Sequence, residues 1–145
     1  YLLIKMNSPE NINFLKEHCN IINKKGYVWF CRFGKSNVSA SKIKSQDNYI
    51  FLKDSKRNGN NIYIAKYETI ASSPDNEVFP KYYDNILLEK SLWFKITQLQ
   101  EFNYNYLTDN FVTKSTNANL EKVFCSMCSS FYITCKNNLN IKTGK

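Results

Sequence analysis

Glycine, histidine and arginine are scarce in this 145-residue chain, which has four, one and two of them. The glycines (Gly26, Gly34, Gly59 and Gly144) are isolated from one another, which excludes a Gly-rich phosphate loop. A single histidine, His18, sits on a predicted helix beside Cys19. It offers no plausible Ser-His-Asp set and reads as structural or as an exposed, silent side chain. Cys125-x-x-Cys128 lacks a second CxxC or a CxxH, so a four-ligand zinc site is short of ligands, and the pair reads as buried thiol. The five cysteines (19, 31, 125, 128 and 135) are odd in number and irregularly spaced, which argues against a secreted disulfide scaffold and for a reduced, cytoplasmic protein. No stretch approaches the ~20 apolar residues of a membrane span, and no signal peptide is visible. The twelve acidic residues are scattered, whereas a metal-dependent nuclease needs them clustered with lysine; Asp47, Asp54 and Asp84 all read as turn residues. These absences point away from an enzyme, and neither cofactor nor metal is expected.

What the chain does have is aromatic mass and positive charge. Ten Tyr, ten Phe and two Trp make up 15% of it, and 43% is hydrophobic, which argues against disorder. The length fits one domain, burying roughly 70% of the surface its unfolded chain exposes. The net charge of +8 and pI of about 9.2 attract polyanions, of which nucleic acid is the commonest. The richness in Lys, Asn and Ile has a second reading, as a bias of genome composition. Residues 1–136 are expected to form the domain and residues 137–145 a polar tail or linker. Because the sequence starts at Tyr1, inside an apolar run, it is expected to be part of a longer protein.

Tyr1-Leu2-Leu3-Ile4-Lys5-Met6 reads as a buried strand. Asn7-Ser8-Pro9-Glu10 opens a helix with Ser8 as its cap and Pro9 in its first turn, and Ile12, Leu15, Cys19 and Ile22 form its inner stripe. Gly26 ends it. A strand over residues 27–33 alternates Tyr27, Trp29, Cys31 and Phe33 on one face with Val28, Phe30 and Arg32 on the other. Residues 34–46 form a polar loop. Strands over 48–53 and 62–70 flank a turn containing Asn58-Gly59, a strong hairpin signal. Residues 71–90 form a long irregular segment with Phe79, Tyr82 and Tyr83. A strand covers 92–99, residues 102–111 are weakly structured, a short helix capped by Asn117 or Asn119 runs to about Cys128, and a last strand covers 131–135. This pattern predicts an α+β fold: a small curled mixed sheet or barrel of about six strands flanked by two or more helices.

The order of elements resembles the PUA-like superfamily, especially its EVE and YTH branches. The first strand and capped helix followed by Gly26-Tyr27-Val28-Trp29-Phe30 resemble that group's opening, with its Gly-x-x-Trp segment. Asn61-Ile62-Tyr63-Ile64-Ala65-Lys66-Tyr67-Glu68 resembles the strand with a small residue near its middle, and Leu92-Trp93-Phe94-Lys95-Ile96 the later aromatic-Lys-hydrophobic strand. The resemblance implies a β-barrel that holds one modified base in an aromatic pocket. EVE-like domains also serve as the N-terminal DNA-recognition domains of McrBC-type, modification-dependent restriction systems. It therefore implies a DNA-binding targeting module that reads a modified base, fused to a motor or nuclease. The loop 71–90 departs from the YTH pattern in having no second cage Trp, so Phe79, Tyr82 or Tyr83 has to replace it.

On that resemblance the base pocket is expected among Trp29, Phe30, Phe79, Tyr82, Tyr83, Asp84, Ser36 and Asn37. The phosphates are expected on the loop cations Lys35, Lys42, Lys44, Lys56, Arg57 and Lys81. Each has a plainer reading. A strand Trp is more often core than ligand contact, Tyr82 and Tyr83 can simply pin the loop, and Asp84 can be a turn residue. An RNA reader of the YTH or PUA type, and a protein-interaction domain with an aromatic docking surface, are the competing functions.

Overall fold

The computed structural model describes residues 1–32, 40–55, 58–85, 92–126 and 128–136. Its elements are β1 (Leu2–Lys5), α1 (Phe14–Lys25), β2 (Val28–Arg32), β3 (Tyr49–Lys53), β4 (Ile62–Ala71), β5 (Leu92–Phe102), α2 (Tyr104–Asn110), β6 (Phe111–Thr113), α3 (Leu120–Phe124) and β7 (Ser130–Cys135). The fold is α+β, as expected: seven strands and three α-helices among the described residues, against an expected six or so strands and two or more helices. The seven strands form one mixed, unclosed sheet in the order β2-β5-β4-β3-β1-β7-β6. β1 and β3 run parallel, and the other pairs are antiparallel.

β1 is apolar at successive positions because both of its faces are covered. Leu2 and Ile4 point into the larger core with Ile50, Leu52, Val28, Phe30, Phe94 and Ile96, while Leu3 packs on the other side with Phe51, Phe111 and Ile133. α1 packs on β2 and β5. The opposite core holds Leu107 of α2 and Leu120 of α3. A third cluster of Trp29, Cys31, Tyr83 and Trp93 lies on the face of β2 that turns away from the larger core.

The sheet curls. β2 and β1 are at separate places in the strand order, yet the Arg32 side chain at the end of β2 reaches Ser129, whose carbonyl accepts from the Lys5 N–H of β1 at 2.8 Å. Register shifts in the β4–β5 pair around Lys66, Tyr67 and Thr69 supply the irregularity that bends such long strands.

α1 begins later than expected. Asn13, not Ser8, is its cap, accepting from the Lys16 N–H at 3.0 Å; of the expected stripe Leu15 and Ile22 pack partly buried on the core, and the fully buried residues are Phe14 and His18. Ser8 is taken by a stronger acceptor: its N–H and hydroxyl both donate to the Asp54 carboxylate, at 3.0 and 2.6 Å. Asp54, 2% exposed, also accepts from the Ser55 N–H and the Asn58 amide. This network fastens the loop after β1 to the β3–β4 turn. Gly26 ends α1 as expected, with φ of 86° in the left-handed region and its N–H on the Ile22 carbonyl. Residues 102–111, expected to be weakly structured, continue β5 to Phe102, form α2 under the Asn103 cap and begin β6. Asn119 caps α3, which ends at Phe124.

Candidate functional site

A cavity of about 760 Å³ lies where the curled sheet brings β2 back towards β1. Its walls are the end of β1 and the loop after it (Ile4 to Pro9), Phe14 of α1, Phe30, Cys31 and Arg32 of β2, Tyr82 and Tyr83, and Ser126, Cys128 and Ser129 ahead of β7. The lining grades from buried Ile4, Phe14, Phe30 and Tyr83 to exposed Asn7, Ser126 and Ser129. The volume falls in the usual range for small-ligand pockets, roughly 300–1,000 Å³.

Behind the aromatic wall sits a fixed hydrogen-bond chain. His18 is fully buried, and burial pulls its pKa down to about 4 against the smaller upward effect of its bond to the Phe14 carbonyl. The ring is therefore neutral at pH 7. Nδ1 lies 2.8 Å from the Phe14 carbonyl, which can only accept, so Nδ1 carries the proton and Nε2 accepts from the Tyr83 hydroxyl at 2.6 Å. The Cys31 backbone also hydrogen-bonds Tyr83, and burial holds the Tyr83 phenol well above its ordinary pKa. Tyr83 is thus locked in place. Its neighbour Tyr82, whose phenol burial also pushes up, is only half-buried and is the aromatic ring of the lining that a ligand can reach.

Two cations share the rim. Lys5 donates to the Ser126 carbonyl at 2.7 Å, and Arg32 Nη2 donates to Ser129 Oγ at 2.8 Å. Among the described residues no Asp or Glu lines the cavity. Asp54 stands behind Ser8 with its oxygens already taken. The arrangement suits a flat, uncharged group held against aromatic rings, next to an anion.

Of the expected pocket residues, Phe30, Tyr82 and Tyr83 come together here. Trp29 does not line the cavity. It is 1% exposed in the cluster on the other face of β2, and its indole N–H has no hydrogen-bond partner among the described residues. Phe79 stacks on Tyr83 with centroids 5.5 Å apart and packs against Trp93 in that same cluster. Asp84 is exposed in the turn Lys81–Asn85 and does not line the cavity. Lys42, Lys44 and Lys81 are exposed and lie outside the lining. Ser36, Asn37, Lys35, Lys56 and Arg57 fall outside the described residues. Cys125 and Cys128 are exposed free thiols rather than buried ones, because the turn that carries them lies beyond the C-terminus of α3 at the cavity rim. The cations that reach the cavity, Lys5 and Arg32, sit at strand ends and not in the loops where phosphate ligands are expected from the sequence. The signal for them is a cation closing an otherwise apolar strand.

Other clefts have less to offer. One of about 550 Å³ between α1 and the β4–β5 pair is lined by Cys19, Tyr49, Lys66 and Gln98, and Lys66 already covers the Tyr49 ring. Another beside Val78, Phe79 and Pro80 carries charges of both signs. No helix among the described residues is long and apolar enough to cross a membrane.

A family model described as Pua-like matches residues 6–131. No curated protein and no solved structure matches the chain. The matched span contains every wall of the cavity except Ile4 and Lys5.

Proposed function

The chain belongs to the Pua-like family, whose domains are generally RNA- or DNA-binding and typically non-catalytic, and from that premise we propose that the cavity between β1 and β2 receives one modified base flipped out of DNA. The observation that carries this reading is the lining itself: rings from α1, β2 and the 82–83 turn meet two cations and no carboxylate.

The energetics are consistent. Taking a base out of a duplex costs a few kcal/mol, least where pairing is already weakened. Stacking on an aromatic ring returns roughly 1–3 kcal/mol per contact, so the reachable Tyr82 ring offsets much of the cost. The charge of +8 supplies affinity that is independent of sequence and falls with salt. His18 stands behind Tyr83 and serves as a brace, not as an acid or base. In a longer protein such a domain would be the targeting module of a modification-dependent restriction system, with cleavage carried out by a fused motor or nuclease.

An aromatic docking surface for a protein has less support. Tyr132 is the one large hydrophobic side chain more than a third exposed among the described residues.

Titration with DNA and RNA oligonucleotides carrying methylated cytosine, hydroxymethylated cytosine, methylated adenine or no modification, at two salt concentrations, tests the proposal. The expected result is a preference of roughly tenfold or more for one modified DNA, the size a single pocket contact can supply. Equal affinity for every oligonucleotide leaves a nonspecific polyanion binder, and a preference for modified RNA moves the reading to the other polymer. No binding at all ends it.

A further inference from the structure

Among the described residues one side-chain bond crosses the seam where β2 approaches β1, from Arg32 Nη2 to Ser129 Oγ, and both residues line the cavity. This is an unequal pairing. A guanidinium has five donors in a rigid fork that matches a phosphate with two parallel bonds, whereas a serine hydroxyl is a neutral acceptor. Among the described residues Arg32 makes no ion pair, and the lining offers it no carboxylate. Lys5, at the same rim, is partly tied up by the Ser126 carbonyl. Among the described residues Arg32 is therefore the least satisfied cation at the mouth, one strand position past Cys31 and two past Phe30.

We propose that Arg32 is the phosphate-binding residue of this site, and that its bond to Ser129 is a latch across the seam that the incoming phosphate replaces. The assignment rests on the reading of the cavity as a base pocket and names the group that would fix the backbone of the flipped nucleotide. A base stacked on Tyr82 leaves its phosphate towards the exposed rim, where Arg32 exchanges one neutral acceptor for two anionic oxygens. The walls held by the latch in the free protein are then held through the ligand.

The test uses the whole 145-residue chain and three variants, Arg32→Gln, Arg32→Lys and Ser129→Ala, with folding checked by circular dichroism. Each protein is titrated with a duplex carrying a methylated base, with the matched unmodified duplex, and with a nucleoside and its monophosphate. For Arg32→Gln the expected result is weaker binding of both duplexes by a similar factor, about tenfold, with the slope of log affinity against log salt reduced by about one. Its preference for the modified base persists, and its preference for monophosphate over nucleoside disappears. Arg32→Lys keeps the charge without the fork and falls in between. Ser129→Ala frees the guanidinium and tightens binding by roughly two- to fivefold, the worth of one exposed neutral hydrogen bond.

If Arg32→Gln and Ser129→Ala weaken binding equally with an unchanged salt slope, the bond is a structural brace and the assignment is overturned. Should the wild type ignore every oligonucleotide yet bind the monophosphate through Arg32, the polymer reading falls while the assignment stands.

Discussion

The two faces of β2 carry aromatic rings to different ends. On one face Trp29 packs with Tyr83, Trp93 and Phe79 into a cluster sealed by the segment around residues 78–83, which is anchored where the Trp29 backbone N–H donates to the Val78 carbonyl at 2.8 Å. On the other face Phe30 meets Phe14 and Phe94 and then open volume. The rings are of the same kind and sit on adjacent residues. Both are buried, and what separates them is what lies beyond: residues 78–83 close over Trp29, whereas Phe30 backs the cavity that Tyr82 lines. An aromatic residue becomes a ligand surface where the fold leaves it only half covered, as it does Tyr82 at the seam of the curled sheet. Tyr83 belongs to both regions: its ring lies in the sealed cluster and its hydroxyl is fixed by His18 at the back of the cavity.

The comparison can be broken at Trp29, where the largest effect is expected. Trp29→Ala should lose about 3–5 kcal/mol of stability in chemical denaturation, while the folded fraction keeps its preference among modified oligonucleotides. A variant that held its stability and lost its preference would place Trp29 in the pocket and erase the distinction between the faces.

The link between the two regions makes the next prediction. Folded His18 titrates near 4 because of burial, and the ordinary value is 6.5, so the unfolded chain takes up the proton first as pH falls. The contribution is intact above about pH 6.5 and drains away between 6.5 and 4, to a total of about 3 kcal/mol. Thermal unfolding across this range, compared with His18→Gln, should show a dependence that the variant lacks. An equal pH dependence in both proteins would detach His18 from it.

Tyr82→Ala sharpens the contrast from the open side. Removing one stacking ring should weaken binding of the preferred oligonucleotide by roughly 10- to 100-fold, with much less loss of stability than at Trp29. Lys81→Ala, at an exposed residue outside the lining, should change stability by less than about 0.5 kcal/mol and leave the preference among modifications unmoved. A loss of preference there would extend the site beyond the cavity.

Strand alternation was legible in residues 27–32, including which side chains share a face, because period two follows from the backbone. Which face stays uncovered depends on where residues 78–83 and 126–129 return, and no local pattern encodes that. Ser8 had the sequence context of a helix cap, but its N–H and hydroxyl are both held by Asp54, far along the chain, and the helix starts under the Asn13 cap instead. Tyr104 and Tyr106 favour strand by propensity; α2 forms because Asn103 caps it and Leu107 is buried in the outer core. The family resemblance was legible in outline from the first strand, the helix and the 26–30 segment. The cations were misplaced to the loops because Lys5 and Arg32 look like ordinary strand ends until the sheet curls.

The position of β1 also bears on how the molecule assembles. Its neighbours are β3 on one side and β7 on the other, so Leu2 must wait for Tyr132 before its second edge is paired. Such distant pairings close large loops late and favour slow folding. The cavity draws its walls from β1, from residues ahead of β7 and from β2, so it is complete only when the β1–β7 pair is in place. Ligand binding therefore doubles as a readout of completed folding: a partly assembled chain, however much sheet it contains, has no mouth to offer.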